Sequence, residues 1–375
     1  MKTSIAQLPK IERDLVELAL TADNALGRVD FQYLLAEILG YAHIPEFTFF
    51  HDPRVQEHLE RTAQLFKDWE QTRLTQTNFR RVIDYQPRET CKSSLKAEPA
   101  PVYAHINNSE IAIAVMSATM DMARKRANAV RALWEGEDPN SRLTEVFGPF
   151  KPSDSRRAWQ VDKMVTGRRR VLGKADATLT AFSGGSGPTS GHFDMLLWDD
   201  PITEESLEKD AEFLDKVWSA YTRLKYVVKP TGLLYIIGTR YDDHDLVGRI
   251  IEQEIKPAAI EANGGTVPED WDDYDGWVKY AHLAKWEVFY DRVYANYDRE
   301  TEKGEVVFPI CWSEERIEDS RKTPEGKRKF WYHLMNAPHQ RDDAALTKEQ
   351  IDRCLIDFDD VPQAAAAAPA AAAAS

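Results

Sequence analysis

The chain has 375 residues, 43% of them apolar, with 10 tryptophans, enough to bury a large core. Its 48 basic and 62 acidic residues leave a formal net charge of −14, which argues against a surface that clamps nucleic acid all over but leaves room for a few local basic contacts. No apolar run approaches the ~20 residues of a membrane span, the N-terminus lacks the regions of a signal peptide, and Cys91, Cys311 and Cys354 are too scattered for a disulfide framework or a zinc site, so a soluble protein of a reducing, intracellular compartment is expected.

Residues 1 to about 75 read as helical. Ile11–Leu20 and Phe31–Leu39 carry apolar residues at three-to-four spacing, Gly40 supplies a stop, and Pro53 opens an amphipathic stretch to about Arg73. The pattern predicts a cap packed on the next domain, with no catalytic signal; His51 and His58 read as helix-surface residues rather than a metal pair. Phe79–Tyr85 then reads as a strand that empties into Gln86-Pro87-Arg88-Glu89-Thr90-Cys91-Lys92-Ser93-Ser94. A P-loop reads G-x-x-x-x-G-K-[ST]: backbone N–H groups cradle phosphates, the lysine reaches the β- and γ-phosphates, and the hydroxyl binds magnesium. Lys92-Ser93 follows a strand as that chemistry requires, but Gln86 and Cys91 stand at the two glycine positions. Taken alone, the stretch reads more naturally as an ordinary strand, loop and helix with an exposed lysine.

Ile111–Met116 is a further buried strand, ending in Ser117-Ala118-Thr119. The helix expected from about Asp121 to Glu135 carries Arg124, Lys125, Arg126 and Arg131, either a solvated face or a contact for DNA phosphates or a neighbouring subunit. Between Arg142 and Lys174 the chain is irregular, and Arg168-Arg169-Arg170 is a candidate cationic finger or DNA contact. Ala177–Phe182 resembles a strand and Ser183–Gly187 a flexible loop. Met195–Trp198 and Leu233–Ile237 are apolar runs too short for helices, which predicts buried parallel strands; the first empties into Asp199-Asp200 and the second into Gly238-Thr239-Arg240, with a helix from Glu204 to Lys225 between them. In open α/β sheets the chemistry sits at the carboxyl ends of the strands, where both polar clusters fall. Adjacent acids there suit a magnesium-assisted phosphate reaction, one carboxylate holding the metal and the next orienting water. The plainer alternative is a solvated turn whose Asp200-Pro201 starts the next helix. Downstream, the pattern predicts a helix through Glu254, an irregular insertion Lys256–Gly276, a strand Trp286–Tyr294, a helix capped by Ser313 and another near Lys327–Met335. Ala364–Ser375 is nearly all alanine and carries no side-chain information.

In their order and spacing, four motifs resemble the large terminase subunit of tailed double-stranded DNA viruses, the ATPase that drives genome packaging: QPRETCKSS, AVMSAT, SGGSGPTSGHFDMLLWDDP and YIIGTRYDDHDLVGRI, supported by LLAEILGY upstream and by VVFPICWSEERI and FWYHLMNAP downstream. The resemblance implies an α/β fold, a P-loop-type (ASCE) ATPase with a mainly parallel central sheet flanked by helices, plus an N-terminal helical region. Residues 1–75 would be that helical region, 76–320 the ATPase, 321–363 a helical linker toward an absent nuclease, and 364–375 an alanine-rich tail. It implies ATP and Mg2+ as ligands, with Gln86, Pro87, Arg88, Glu89, Thr90, Cys91, Lys92, Ser93 and Ser94 forming the nucleotide loop. Lys92 matches the phosphate-binding lysine, and Ser93 and Asp199 match the metal-binding hydroxyl and acid. Arg88 matches an arginine proposed to reach the γ-phosphate in cis, and Thr239 matches the coupling motif that relays hydrolysis to movement. Asp200 stands where the wider class has its water-activating glutamate, one methylene longer. Arg169 is the candidate for an arginine supplied in trans. The partners implied are double-stranded DNA, a portal protein, a small terminase subunit and further copies of the chain in a ring, a pentamer by resemblance; no membrane is expected, and the implied location is the host cytoplasm and, transiently, the procapsid portal vertex. The stretch beyond Asn336-Ala337-Pro338, including Ile356–Asp360, is too short for an RNase H-like nuclease sheet, so no DNA cleavage is expected of it. Two other readings stay open: a helicase-like, nucleic-acid-dependent ATPase, and a non-catalytic assembly protein whose nucleotide site has decayed.

Overall fold

Apolar runs bounded by turn residues become strands because β-branched and aromatic side chains fit a pleated, buried surface. The computed structural model describes residues 10–44, 47–171, 174, 176–209, 212–271, 275–298 and 300–338. Its strands are β1 (Arg80–Tyr85), β2 (Ile113–Ser117), β3 (Trp159–Gln160), β4 (Lys163–Met164), β5 (Leu179–Ser183), β6 (Phe193–Asp199), β7 (Val228–Gly238), β8 (Trp286–Tyr290), β9 (Tyr294–Asp298) and β10 (Lys303–Val306). The first eight form one sheet in the order β3-β4-β5-β2-β6-β7-β1-β8. From β5 to β8 every pairing is parallel, and only the pairings made by the short β4, with β3 and with β5, are antiparallel. The protein is therefore α/β, with a mostly parallel central sheet flanked by helices.

The pleat sends successive side chains to opposite faces, so Leu233, Tyr235 and Ile237 of β7 enter one core and Leu234 and Ile236 the other. The first core is closed by Phe31, Leu34, Leu59 and Phe66 from the N-terminal helices, and by Ala127 and Val130 of the Met120–Glu135 helix. Val217, Tyr221 and Leu224 of the Phe213–Leu224 helix close the second. Burial on both faces is why these strands read as unbroken apolar runs.

Four expectations change, the first being the irregular insertion Lys256–Gly276, which opens as a helix, Lys256–Ala262, continuous with the helical stretch before it. In the Lys10–Val29 helix, Ile11, Leu15 and Leu18 gave the amphipathic pattern yet are 75%, 61% and 66% exposed. The helix packs instead through Leu20 and through Gly27, whose missing side chain admits Ile38 and Phe147. The expected strand Trp286–Tyr294 is split: Asp291 and Arg292 leave the ladder to pair with Arg54 and Asp275, and β9 pairs with β10 in a separate hairpin. The expected helix from Glu204 to Lys225 is described as two, Glu204–Lys209 and Phe213–Leu224. No described helix is long and apolar enough to cross a membrane. The rest of the expected linker, Ile356–Asp360 and the alanine-rich end lie outside the described residues.

Candidate active site

The carboxyl ends of β6, β7 and β1 lie side by side, at the edge of an open parallel sheet where ligands bind. Each delivers polar groups to one place. Lys92, from the loop after β1, donates through Nζ to Thr239 Oγ1 after β7 at 2.9 Å and lies 3.9 Å from Asp200 Oδ1 after β6. Ser93 Oγ donates to Asp199 Oδ1 at 2.8 Å. Lys92 is 6% exposed and Asp199 fully buried, and each has its own counter-ion, Asp200 for Lys92 and Arg126 for Asp199, as a buried ion requires.

No family model and no curated protein matches the chain.

The loop makes its turn with left-handed residues that are not glycine: φ is 63° at Glu89 and 56° at Cys91. Cys91 thus adopts, at the second glycine position of the P-loop pattern, a conformation that glycine reaches without strain. Left-handed backbone costs an L-residue roughly 1–2 kcal/mol. Cys91→Gly is therefore expected to leave stability nearly unchanged, because relief of strain offsets the extra freedom of glycine in the unfolded chain. Cys91→Val, branched where the backbone is already crowded, is expected to lose about 1–3 kcal/mol in urea unfolding.

At the first glycine position, Gln86 is 1% exposed and roots a buried polar chain. Its Nε2 donates to Asp84 Oδ1 at 2.7 Å and to His58 Nδ1 at 3.0 Å, and its Oε1 receives the Thr90 hydroxyl at 3.4 Å. Asp84 also accepts from Lys96 at 2.6 Å and from the Tyr235 hydroxyl at 2.7 Å. Since His58 Nδ1 accepts, its proton lies on Nε2, which faces Asp291; Arg54 closes the chain on the same carboxylate. His58 is thus on the inward side of its helix, 1% exposed, and not on the surface as the sequence suggested. A glycine at 86 would leave these buried partners unsatisfied, so here a side chain does what backbone freedom does elsewhere.

Burial and the adjacent Asp200 push the Asp199 carboxyl up to about 6, against the pull of Arg126, Ser93 and Lys92. A carboxyl so placed gains from a nearby cation. The donors are hard oxygens, Ser93 Oγ and the Asp199 carboxylate, and the buried Asp200 Oδ1 beside them accepts no hydrogen bond. That set fits magnesium, which takes one or two protein oxygens and leaves the rest to water and phosphates. Among the described residues, no group of three or more His, Cys, Asp or Glu forms an all-protein metal cage.

Arg126 is the site residue that the sequence reading missed. It donates to Asp199 Oδ2 at 2.5 Å and to Glu98 Oε1 at 2.8 Å. In the sequence it is one of four bases on a helix; only its spacing from the buried Ala123 and Val130 marks it as facing inward.

Two expected residues do not join the cluster. Arg88 donates through its backbone N to His333 O at 2.8 Å and through its side chain to His333 Nε2 at 3.1 Å, while its carbonyl accepts from Trp312 Nε1 at 2.9 Å. Glu89, beside it, pairs with Arg316. Arg169 is 2% exposed and donates to the carbonyls of Ile111, at 2.9 Å, and Asp176. Ile111 precedes β2, at the edge of the sheet opposite the acids, so Arg169 pins the irregular segment to the sheet and is not presented to a neighbour. Arg168 does similar work, donating to Phe147 O and lying 4.9 Å over the Phe150 ring. Pro87 accepts the Thr90 hydroxyl through its carbonyl at 2.9 Å, and Ser94 lies in the first helical turn after the loop.

Proposed function

We propose that the chain is a magnesium-dependent ATPase of the P-loop, ASCE type. The observation that carries this reading is the convergence of Lys92, Ser93, Asp199, Asp200 and Thr239 at the ends of β1, β6 and β7. The strand order is compatible with it: β7 lies between the loop strand β1 and the acid strand β6, so all three polar ends meet at one edge of the sheet.

In this reading Lys92 stabilises charge on the β- and γ-phosphates, and Asp200 accepts a hydrogen bond from the attacking water and orients it. Ser93 and Asp199 would hold magnesium, which would supply positive charge against the phosphates. Arg126 holds the Asp199 carboxylate in place. Thr239, bonded to Lys92 and at 3.4 Å to the Gln86 carbonyl, lies where a change at the γ-phosphate reaches β7. The motif order further supports a DNA-packaging motor: a ring of subunits at a procapsid portal vertex, translocating double-stranded DNA with a portal protein and a small terminase subunit. This finer reading rests on the resemblance alone.

The test is magnesium-dependent ATP turnover across protein concentrations, with and without duplex DNA. Turnover is expected to rise with concentration, and Asp200→Asn to lower kcat about 10²–10⁴-fold with nucleotide still bound. Binding without turnover in the wild-type protein would favour the decayed, non-catalytic reading. Strand separation without any response to a portal would favour the helicase-like one.

A further inference from the structure

The Phe330–Leu334 turn and the residues after it take no part in the chemistry above, yet they grip the framework of the site. His333 accepts from the backbone of Arg88 in the nucleotide loop. Asn336, 1% exposed, does more. Its Oδ1 accepts from Arg240 N at 2.9 Å, directly after Thr239, and its Nδ2 donates to Asp291 O at 2.8 Å, directly after β8. Its carbonyl accepts from the Tyr290 hydroxyl. In the sheet β7 and β8 flank β1, the strand that becomes the nucleotide loop, so one side chain spans the strand at the root of that loop. Beneath it, Gln86 N donates to Gly238 O at 3.3 Å and Asp291 N to Tyr85 O at 2.9 Å. Asn336 makes these bonds with φ at 50°, a left-handed conformation that a non-glycine residue keeps only where its surroundings over-determine it.

We propose that Asn336 is a positioning residue that clips the end of β7 to the end of β8 across β1, so that the coupling residue Thr239 and the nucleotide loop keep a fixed relative geometry through the catalytic cycle. The inference rests on the ATPase reading for its kinetic consequence. Both ends of the amide are used, one as acceptor and one as donor, which specifies asparagine: an aspartate would set a carboxylate against the Asp291 carbonyl. The clip touches no phosphate and acts only through the strand ends.

Asn336→Gly separates this role from mere structure, because glycine accepts the left-handed backbone and only the side-chain bridge is lost. The variant leaves Arg240 N and Asp291 O without their partner and is expected to melt modestly below the wild-type protein; assayed well below that transition, where both are folded, it is expected to lose about tenfold in kcat and to change KM less than about threefold, the pattern of a lost transition-state alignment. In nucleotide-free protein, deuterium exchange is expected to quicken at Arg88–Lys92 and at Gly238–Arg240. Asn336→Asp, which keeps the acceptor for Arg240, is expected to fall between the two in kcat. Unchanged exchange in Asn336→Gly, or a kcat loss that tracks lowered melting, overturns the clip and leaves the ATPase reading standing. Wild-type protein without ATP turnover overturns the ATPase reading and the kinetic role together, while the exchange result still decides whether the clip exists.

Discussion

In the proposed ATPase, Lys92→Ala is expected to lower ATP turnover by about a thousandfold while the chain stays folded. The ammonium is nearly buried, bonded to Thr239 and within ion-pair reach of Asp200, so it is held at the meeting point of three strand ends rather than swinging in solvent. Fixed charge in a water-poor site stabilises developing phosphate charge far more than the same charge in water, and it costs no reorganisation when the reaction occurs. Because the interaction strengthens as charge shifts onto the leaving oxygens, kcat and kcat/KM are expected to fall together, with nucleotide affinity, measured by calorimetry, changing by no more than about tenfold. Lys92→Arg is not expected to rescue, since a planar fork cannot occupy a pocket shaped for a compact ammonium between Thr239 and Asp200. Turnover that survives Lys92→Ala would show that the loop after β1 is not the phosphate loop.

The strands that position this lysine were legible for a simple reason. β2 and β6 are buried on both faces, so each carries an apolar run that turn residues delimit, whereas β1 shows only Val82 and Ile83 between the charged Arg80, Arg81 and Asp84. The site residues at their ends were legible too, because a polar cluster directly after such a run has one place to go in a parallel sheet. β7 shows where this fails. It begins at Val228, ahead of its apolar run, and Pro230 and Gly232 disguise the start; the ladder with β6 shifts register there. Helical spacing shows that a helix forms but not which face is covered, hence the exposed Ile11, Leu15 and Leu18. Arg126, His58 and Asn336 were hidden for another reason: each acts across a long stretch of chain, as Asn336 does on Arg240, and nothing local to it carries that signal. Gln86 and Cys91 read as losses of glycine, whereas one is a buried hub and the other carries the left-handed backbone itself.

The largest loss of stability is expected from Lys96→Met, which keeps side-chain volume and removes charge from the fully buried pair with Asp84. Breaking such a pair from one side typically costs about 3–5 kcal/mol, because the remaining ion is left uncompensated. Asp84→Asn combined with Lys96→Met is expected to recover part of that loss, and the double-mutant cycle measures how much. Acid should distinguish this from a packing defect. Burial pushes the Asp84 carboxyl up, but the charge and hydrogen bond of Lys96, with the Tyr235 hydroxyl, outweigh it and hold it below the usual carboxylate range. A depressed carboxylate contributes stability that is present above about pH 4 and is lost as pH falls through its folded-state value, where the unfolded chain binds the proton more readily. Without Lys96 the burial is less opposed, so Asp84 takes up its proton at higher pH and the penalty for burying its charge disappears on acidification. The gap between wild type and Lys96→Met in urea unfolding is therefore expected to be widest near neutrality and to narrow toward pH 4, whereas a pure packing defect would hold it constant. Since Asp84 also holds the Gln86 amide at the root of the proposed nucleotide loop, the ATPase reading expects the folded fraction of Lys96→Met to turn over ATP more slowly than wild type, tying the stability of this buried chain to the chemistry proposed above it.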